Sequence, residues 1–423
     1  MKIQRTLSPT AALIPLRHLL RAPLGLFSGV KYRNQLKEGL QERFSAHAVF
    51  LLSSGKAALT LILKALAAGS RRRRVVIPAY TCFSVPSAVV KAGLEVVLCD
   101  VDPETLDFKF DELKSLVDGD VLCVLSTHLF GFTADVARTK QLCREHRVVV
   151  VEDAAQAMGA QSSVGQAGTM GDVAFFSLGR GKNLTSGTGG IILSFSPALT
   201  ELIEAEYRQV PEPPVRETIC NWIETTLMKV FIHPGLYWFP TGLSFLGLGE
   251  TKFYTDFLVF RMDELRACLL QGWSDRLDQT NRDRRATARR LMEDLGLGGW
   301  DVRTSAFSES AYLRLPLLMR NRSAKESACK RSREVGAGIS ANYPTTIQDI
   351  PQLADRIAVR RVPGAQDIVE RLVTVPTHRF VEQQDIRKLD RILCGEGSDP
   401  SVPLHRRATA DQSPHRPCVA PLK

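Results

Sequence analysis

Cysteine pairs at metal-ligand spacing are missing from this 423-residue chain. Its nine cysteines, at 82, 99, 123, 143, 220, 268, 329, 394 and 418, form no CxxC and no Cys/His cluster. That excludes the usual zinc modules, and the odd, scattered count argues against a disulfide framework. Reduced thiols inside apolar runs such as EVVLCDV point instead to a cytosolic protein. The features of a signal peptide are also missing from AALIPLRHLLRAPLGLF, which is broken by Arg17, Arg21 and two prolines and has no small-residue cleavage site, so we expect no leader there. Residues 230–249 carry no Lys, Arg, Asp or Glu, yet two prolines, four glycines and His233 argue against a membrane-spanning helix there. There are no internal repeats. Acidic residues are scarce only at the start, where residues 1–74 hold two acids against 14 basic residues. That local +12 accounts for the whole net charge of +10, so the basic excess is no nucleic-acid footprint of the full protein.

What is present is an ordinary globular composition, 44% hydrophobic and 24% charged, long enough for more than one domain. From 47 to 195, RVVIPAY, EVVLCDVD, VLCVLSTHLFG, RVVVVEDAA, DVAFFSLG and GGIILSF are short, nearly continuous apolar runs separated by helix-length segments. Strands apolar on both faces imply a mainly parallel sheet covered on both sides, hence an α/β fold. Ligands of such folds gather at the carboxyl ends of the strands. By that rule Pro78 to Thr81, His128, Asp153 and Ser177 to Lys182 share one rim. A basic arm (1–31) precedes a large domain (32–255) that carries an apolar insertion over about 209–250. A long charged helix from about 256 and a smaller α/β unit fill 256–394. The Pro-, Ser- and Arg-rich tail, 395–423, reads as disordered. We expect the arm to pack on the body, with contact to a membrane surface as the alternative. For 230–249 we expect a buried insertion or subunit contact, with an interfacial membrane patch or a re-entrant segment as the alternatives.

FFSLGRGKNLTSGTGG, residues 175–190, sets a lysine among glycines. It is no P-loop: Asn183 follows Gly181-Lys182, and no glycine stands five residues before Gly181. A lysine that bonds covalently to an aldehyde cofactor needs a carboxylate for the cofactor's ring nitrogen and a cradle for its phosphate. Asp153 ends the strand RVVVVED, and a buried strand-end carboxylate calls for a cation. SSGKAAL places Ser54 and Gly55 at a helix start, whose free N–H groups suit a phosphate, and Ser177 offers a hydroxyl. Taken singly, Asp153 is more often a cap or an ion-pair member and Lys182 a solvated loop residue; their order and spacing together raise the odds.

SSGKAALTL, VVIPAYTCFSV, AGLEVVLCDVDPETL, THLFG, VVEDAAQAMGA and GDVAFFSLGRGKNLTSGTGG, followed by FRMDELRACL, YLRLPLL and VTVPTH, resemble the DegT/DnrJ/EryC1/StrS family over about residues 32–394. Its members are pyridoxal-phosphate (PLP) sugar aminotransferases of fold type I. The resemblance implies that Lys182 carries PLP covalently and that Asp153 pairs with the pyridinium nitrogen. It implies that Gln156 lies on the 3-hydroxyl side, and that Ser177 and the backbone of Gly55, Lys56 and Ala57 hold the phosphate. The family's stacking aromatic aligns with Cys82, so Tyr80 or Phe83 would substitute. Lys56 stands where the family has threonine, and either pairs with the phosphate or turns outward. Thr188 replaces a common glutamate, and Val259 replaces an asparagine that reaches the neighbouring subunit. The family's dehydratases carry histidine in place of Lys182. The implied partners are an amino-acid donor, with glutamate expected, a nucleotide-linked keto-sugar, and a second subunit in a homodimer. For the sugar, the candidates are His128, Tyr343 and His378, each with a packing alternative. RRRR at 71–74 reads chiefly as a solvated loop. No metal is expected. Rival readings are a same-fold enzyme on another carbonyl substrate, or a regulatory protein on a retired enzyme fold.

Overall fold

A computed structural model describes residues 3–243, 251–296, 310–394 and 419–420. Seven strands form the main sheet in the order β1-β7-β6-β5-β4-β2-β3. They are β1 (Ala48–Leu52), β2 (Arg74–Pro78), β3 (Glu95–Cys99), β4 (Val121–Thr127), β5 (Val149–Asp153), β6 (Val173–Ser177) and β7 (Gly190–Ser194). β7 runs antiparallel to both β1 and β6, and the pairings from β6 through β5, β4 and β2 to β3 are parallel. β4 shows why the sequence reads as continuous apolar runs. All seven of its residues are buried, because helices cover both faces of the sheet. Each large aliphatic side chain so covered contributes about 1.5–3 kcal/mol. The α/β expectation is met.

A smaller sheet pairs β8 (Leu315–Met319) antiparallel with β9 (Leu372–Val375), and on its other side with β10 (Val419–Ala420). That last pair corrects the expectation of a tail without structure, although 395–418 lie outside the described residues. The long helix expected from about 256 is instead two. Glu264–Leu269 is capped by Asp263, whose side chain accepts from the Arg266 N–H at 2.8 Å. Gly272, in the left-handed conformation at φ +61°, breaks the run before Trp273–Asp294 begins.

The basic arm lies over the body. Leu7, Ala11, Ala12 and Ile14 are buried, and Arg5 pairs with the buried Asp385 at 2.9 Å. The charge-free stretch, expected as a buried insertion or a subunit contact, is only partly covered within the single chain. Ile232 and Pro234 are covered, but Val230, Leu236 and Phe239 are exposed, and 244–250 lie outside the described residues. Among the described residues no helix is long and apolar enough to cross a membrane.

Candidate active site

The carboxyl ends of β2, β4, β5 and β6 meet on one rim, and each delivers a side chain or backbone turn to it. Asp153 closes β5. One of its oxygens accepts from the Ala155 N–H at 3.0 Å, and the other has no partner among the described residues. Burial pushes this carboxyl up to about 6, against the opposing pull of the Ala155 N–H, Lys182 and His128. Such a group is poised to receive a cation.

Lys182 sits in a turn that begins where β6 ends, its N–H bonded to Gly179 O at 3.2 Å. Burial lowers its pKa, and the neighbouring Arg314 guanidinium lowers it further, while Cys82 and Asp153 pull the other way. The net effect disfavours the charged ammonium relative to a solvent-exposed lysine. The turn is clamped from two sides. Thr10 of the arm donates its hydroxyl to Gly181 O at 2.6 Å, and the Asn183 side-chain amide donates to Asn281 Oδ1 at 2.9 Å. Gly181 has φ +78°, and a Cβ there would lie 2.3 Å from the Thr10 methyl, so both conformation and space demand glycine.

Opposite Lys182, Ser54 caps the helix Gly55–Ala68, its hydroxyl accepting from the Ala57 N–H at 3.1 Å. Ala57, also expected in the cradle, has its N–H on the Ser54 hydroxyl in this structure. The N–H groups of Gly55 and Lys56, which precede any intrahelical acceptor, are the ones left for a phosphate. A Cβ on Gly55 would sit 2.8 Å from the Ser177 Cβ, which shows how closely helix start and strand end converge. The Lys56 ammonium turns away, 3.4 Å above the Tyr254 ring. Thr188 donates to Asn221 Oδ1 at 3.1 Å and accepts from Arg266 Nε at 3.0 Å, filling the family's glutamate position with a neutral link.

Gln156 bridges the rim to the small domain. It accepts from the Phe130 N–H at 3.2 Å and donates to the Tyr343 hydroxyl at 2.9 Å. Tyr80 and Phe83 both pack on Tyr343, with ring centroids at 5.2 and 6.4 Å. Cys82, at the family's stacking position, lies near enough to Lys182 to act on its charge, as Asp153 and Arg314 do.

Two expected substrate residues lie elsewhere. His128 is fully buried, its Nε2 donating to Glu152 Oε1 at 2.7 Å and its Nδ1 accepting from the Ala134 N–H at 2.9 Å. Both nitrogens are spent, so the packing alternative holds. Burial alone would raise Glu152, but donors from His128, Gly168 and Gly171 outweigh it and hold the carboxyl below its ordinary range. His378 is buried behind the arm, bonded through Nε2 to Ser8 O at 2.9 Å.

Arg314 was not singled out in the sequence. It enters just before β8 and donates to Asn342 Oδ1 at 2.7 Å and weakly to Thr374 Oγ1. Among the described residues it has no carboxylate partner. Burial lowers its pKa, with Tyr343, Tyr237 and Tyr80 close enough to counter that in part. The available signal was a lone cation in the apolar run AYLRLPLLM.

A family model described as the DegT/DnrJ/EryC1/StrS aminotransferase family matches residues 24–393. Among curated relatives, an L-glutamine:2-deoxy-scyllo-inosose aminotransferase of Streptomyces kanamyceticus is 35% identical over 36% of this chain and 35% of its own length. A GDP-perosamine synthase of Vibrio cholerae is 28% identical over 40% of this chain and 46% of its own. The chain thus spans a third to a half of the length of these relatives. Among solved structures, the Helicobacter pylori PseC aminotransferase, described as involved in the biosynthesis of pseudoaminic acid, superposes with a TM-score of 0.73. It is 13% identical, with 92% of this chain and 98% of that one covered. The sugar aminotransferase CalS13 of Micromonospora echinospora gives 0.68 at 20% identity, covering 91% and 98%.

Proposed function

The chain belongs to the DegT/DnrJ/EryC1/StrS aminotransferase family, and on that premise we propose that it is a PLP-dependent aminotransferase moving an amino group from glutamate to a nucleotide-linked keto-sugar in glycan biosynthesis. One observation carries the reading: a buried, half-satisfied carboxylate, Asp153, and a partly covered lysine of lowered pKa, Lys182, sit within electrostatic reach on one strand-end rim. The residues present fit the cofactor. Asp153 offers a free oxygen to a ring N–H. The backbone N–H groups of Gly55 and Lys56 and the Ser177 hydroxyl would hold the phosphate, at a helix start so close to Ser177 that a Cβ at residue 55 would meet its side chain. Gln156 stands between the rim and Tyr343.

When bound, PLP supplies the aldehyde that takes up an amine and the ring that withdraws its electrons. The chain's own residues would do the rest. Asp153, ionised against the ring nitrogen, keeps a proton there. The Lys182 amine removes the proton from the donor's α-carbon and returns one on the other side of the exchange, acting as base and then as acid. Arg314, a guanidinium near Lys182 with no carboxylate partner among the described residues, would hold the donor's carboxylate. The proposed assembly is a homodimer.

The experiment is amine transfer from glutamate across a panel of nucleotide-linked keto-sugars, read as 2-oxoglutarate formed. Turnover with one panel member supports the reading. A protein that loads PLP, releases 2-oxoglutarate in a half-reaction and aminates no sugar of the panel would move the assignment to another carbonyl substrate.

A further inference from the structure

The helix Val215–Phe231 buries Thr218, Asn221 and Thr225, two of which bond each other beneath the 186–188 loop. Its opposite face turns Ile219, Ile223, Leu227 and Val230 to the outside, at helical spacing. Beside it, the 16–27 segment buries Leu19 and Ala22 and leaves Leu16, Leu20 and Phe27 uncovered, Phe27 at 88% exposure. The two segments are tied together. Trp222 donates its indole N–H to Leu19 O at 2.9 Å, and its ring packs on the cluster formed by Ile14, Leu19, Ala22, Leu265 and Leu269. Contiguous aliphatic surface of this kind marks a docking face.

Charge identifies what docks. Arg17, Arg21 and Arg216 are exposed and have no carboxylate partner among the described residues. The acids of the neighbouring helix are already neutralised, Glu217 by Arg266 and Glu224 by Arg180. At the edge of the face lies a groove of about 310 Å³, walled by Leu13 and Pro15 of the arm, by Lys229, and by Arg276, Arg284 and Arg379. Arg276 and Arg284 donate to backbone carbonyls and, weakly, to the Thr377 hydroxyl, and to no acid among the described residues. The Nε–H donors of both are buried without an acceptor, and Nδ1 of the buried His378, which also lines the groove, is buried without a partner. Burial and then the nearby Arg379 lower the pKa of Lys229. Asp283 is the single acid in the lining, and it accepts from Gln279.

We propose that this face seats the protein on an anionic lipid bilayer, with the aliphatic side chains at the acyl boundary and a lipid phosphate in the groove. The contact lies in the membrane plane, since no described helix could cross. A second copy fits worse, because a two-fold contact would set Arg17, Arg21 and Arg216 among their own copies. The inference does not depend on the aminotransferase reading.

The test is co-sedimentation of the full-length protein with vesicles of phosphatidylcholine alone or mixed with phosphatidylglycerol. Partition into the anionic vesicles should exceed that into the neutral ones by about tenfold or more and weaken with salt. Leu227→Asp should abolish it. Lys229→Glu with Arg379→Glu should lower it by about tenfold or more while the circular dichroism melting curve stays put, which separates lost docking from lost folding. Equal partition into both vesicle types would overturn the proposal. So would a Leu227→Asp variant that changes a dimer into a monomer in sedimentation while the parent ignores vesicles. Calorimetric binding of inorganic pyrophosphate without vesicle binding would reassign the groove to a soluble phosphate.

Discussion

Asp153 and Ser177 end parallel strands covered on both faces, whereas Leu20, Ile223 and Leu227 lie on segments covered on one face only. The strand-end rim is held by the sheet's own register: Asp153 pairs with Phe175, and Thr127 with Asp153, so the rim residues cannot shift without moving the core. The flank is held by a few contacts, Trp222 to Leu19 and the small cluster around Leu265. Function at the rim is therefore a matter of backbone placement, and function at the flank a matter of what surface is left over. Between them runs the arm, bonded to Gly181 through Thr10 and to Arg284 through Ala11 O.

Breaking the rim should give the largest effect. Lys182→Ala removes the proton carrier and should lower amine transfer by about 10²–10⁴-fold, measured as 2-oxoglutarate release, with an unchanged melting temperature. Arg314→Ala should raise the KM for the amino donor by roughly 30-fold or more, because the lost contact is a charge-assisted one in a desolvated site. Arg314→Lys should restore part of it. An unchanged donor KM would remove Arg314 from the site.

The rim was legible because strand runs, Asp153, Gln156 and the glycine-flanked Lys182 are all encoded locally. Arg314 was not, because a lone cation beside an apolar strand says nothing of its partners; only the tertiary arrangement shows that no carboxylate of the described residues meets it. His128 misled for the same reason, since its engagement by Glu152 and Ala134 depends on chain neighbours six to 24 residues away. The flank was legible only as two separate puzzles, a basic arm and a charge-free stretch. Their adjacency comes from the 215–231 helix, which the sequence reading passed over as part of an insertion. The break at Gly272 was likewise hidden, since FRMDELRACLLQGWSDRL keeps helical spacing through the turn.

Titration sharpens the contrast between rim and arm. Asp153, raised by burial to about 6, is protonated in the cofactor-free protein below that pH, so affinity for PLP should fall as pH drops through 6. A fluorescence titration at several pH values would show it, and a flat profile would mean that Asp153 does not face the ring nitrogen. His378 is shifted the other way. Burial lowers it from 6.5 to about 4, so the unfolded chain binds the proton first and stability is lost as pH falls from 6.5 to 4. The loss is on the order of 3 kcal/mol, and His378→Gln should flatten that part of the pH–stability curve. Thr10→Ala is the mildest change, about 1 kcal/mol of stability from one hydrogen bond, and it isolates the arm's hold on the Lys182 turn.

The most direct test of the central claim is the visible absorbance of the purified protein supplied with PLP, before and after glutamate, beside Lys182→Ala. A covalent cofactor on Lys182 predicts a visible band that glutamate bleaches and that the variant lacks. A protein that PLP leaves colourless, or a band that survives in Lys182→Ala and ignores glutamate, would contradict it.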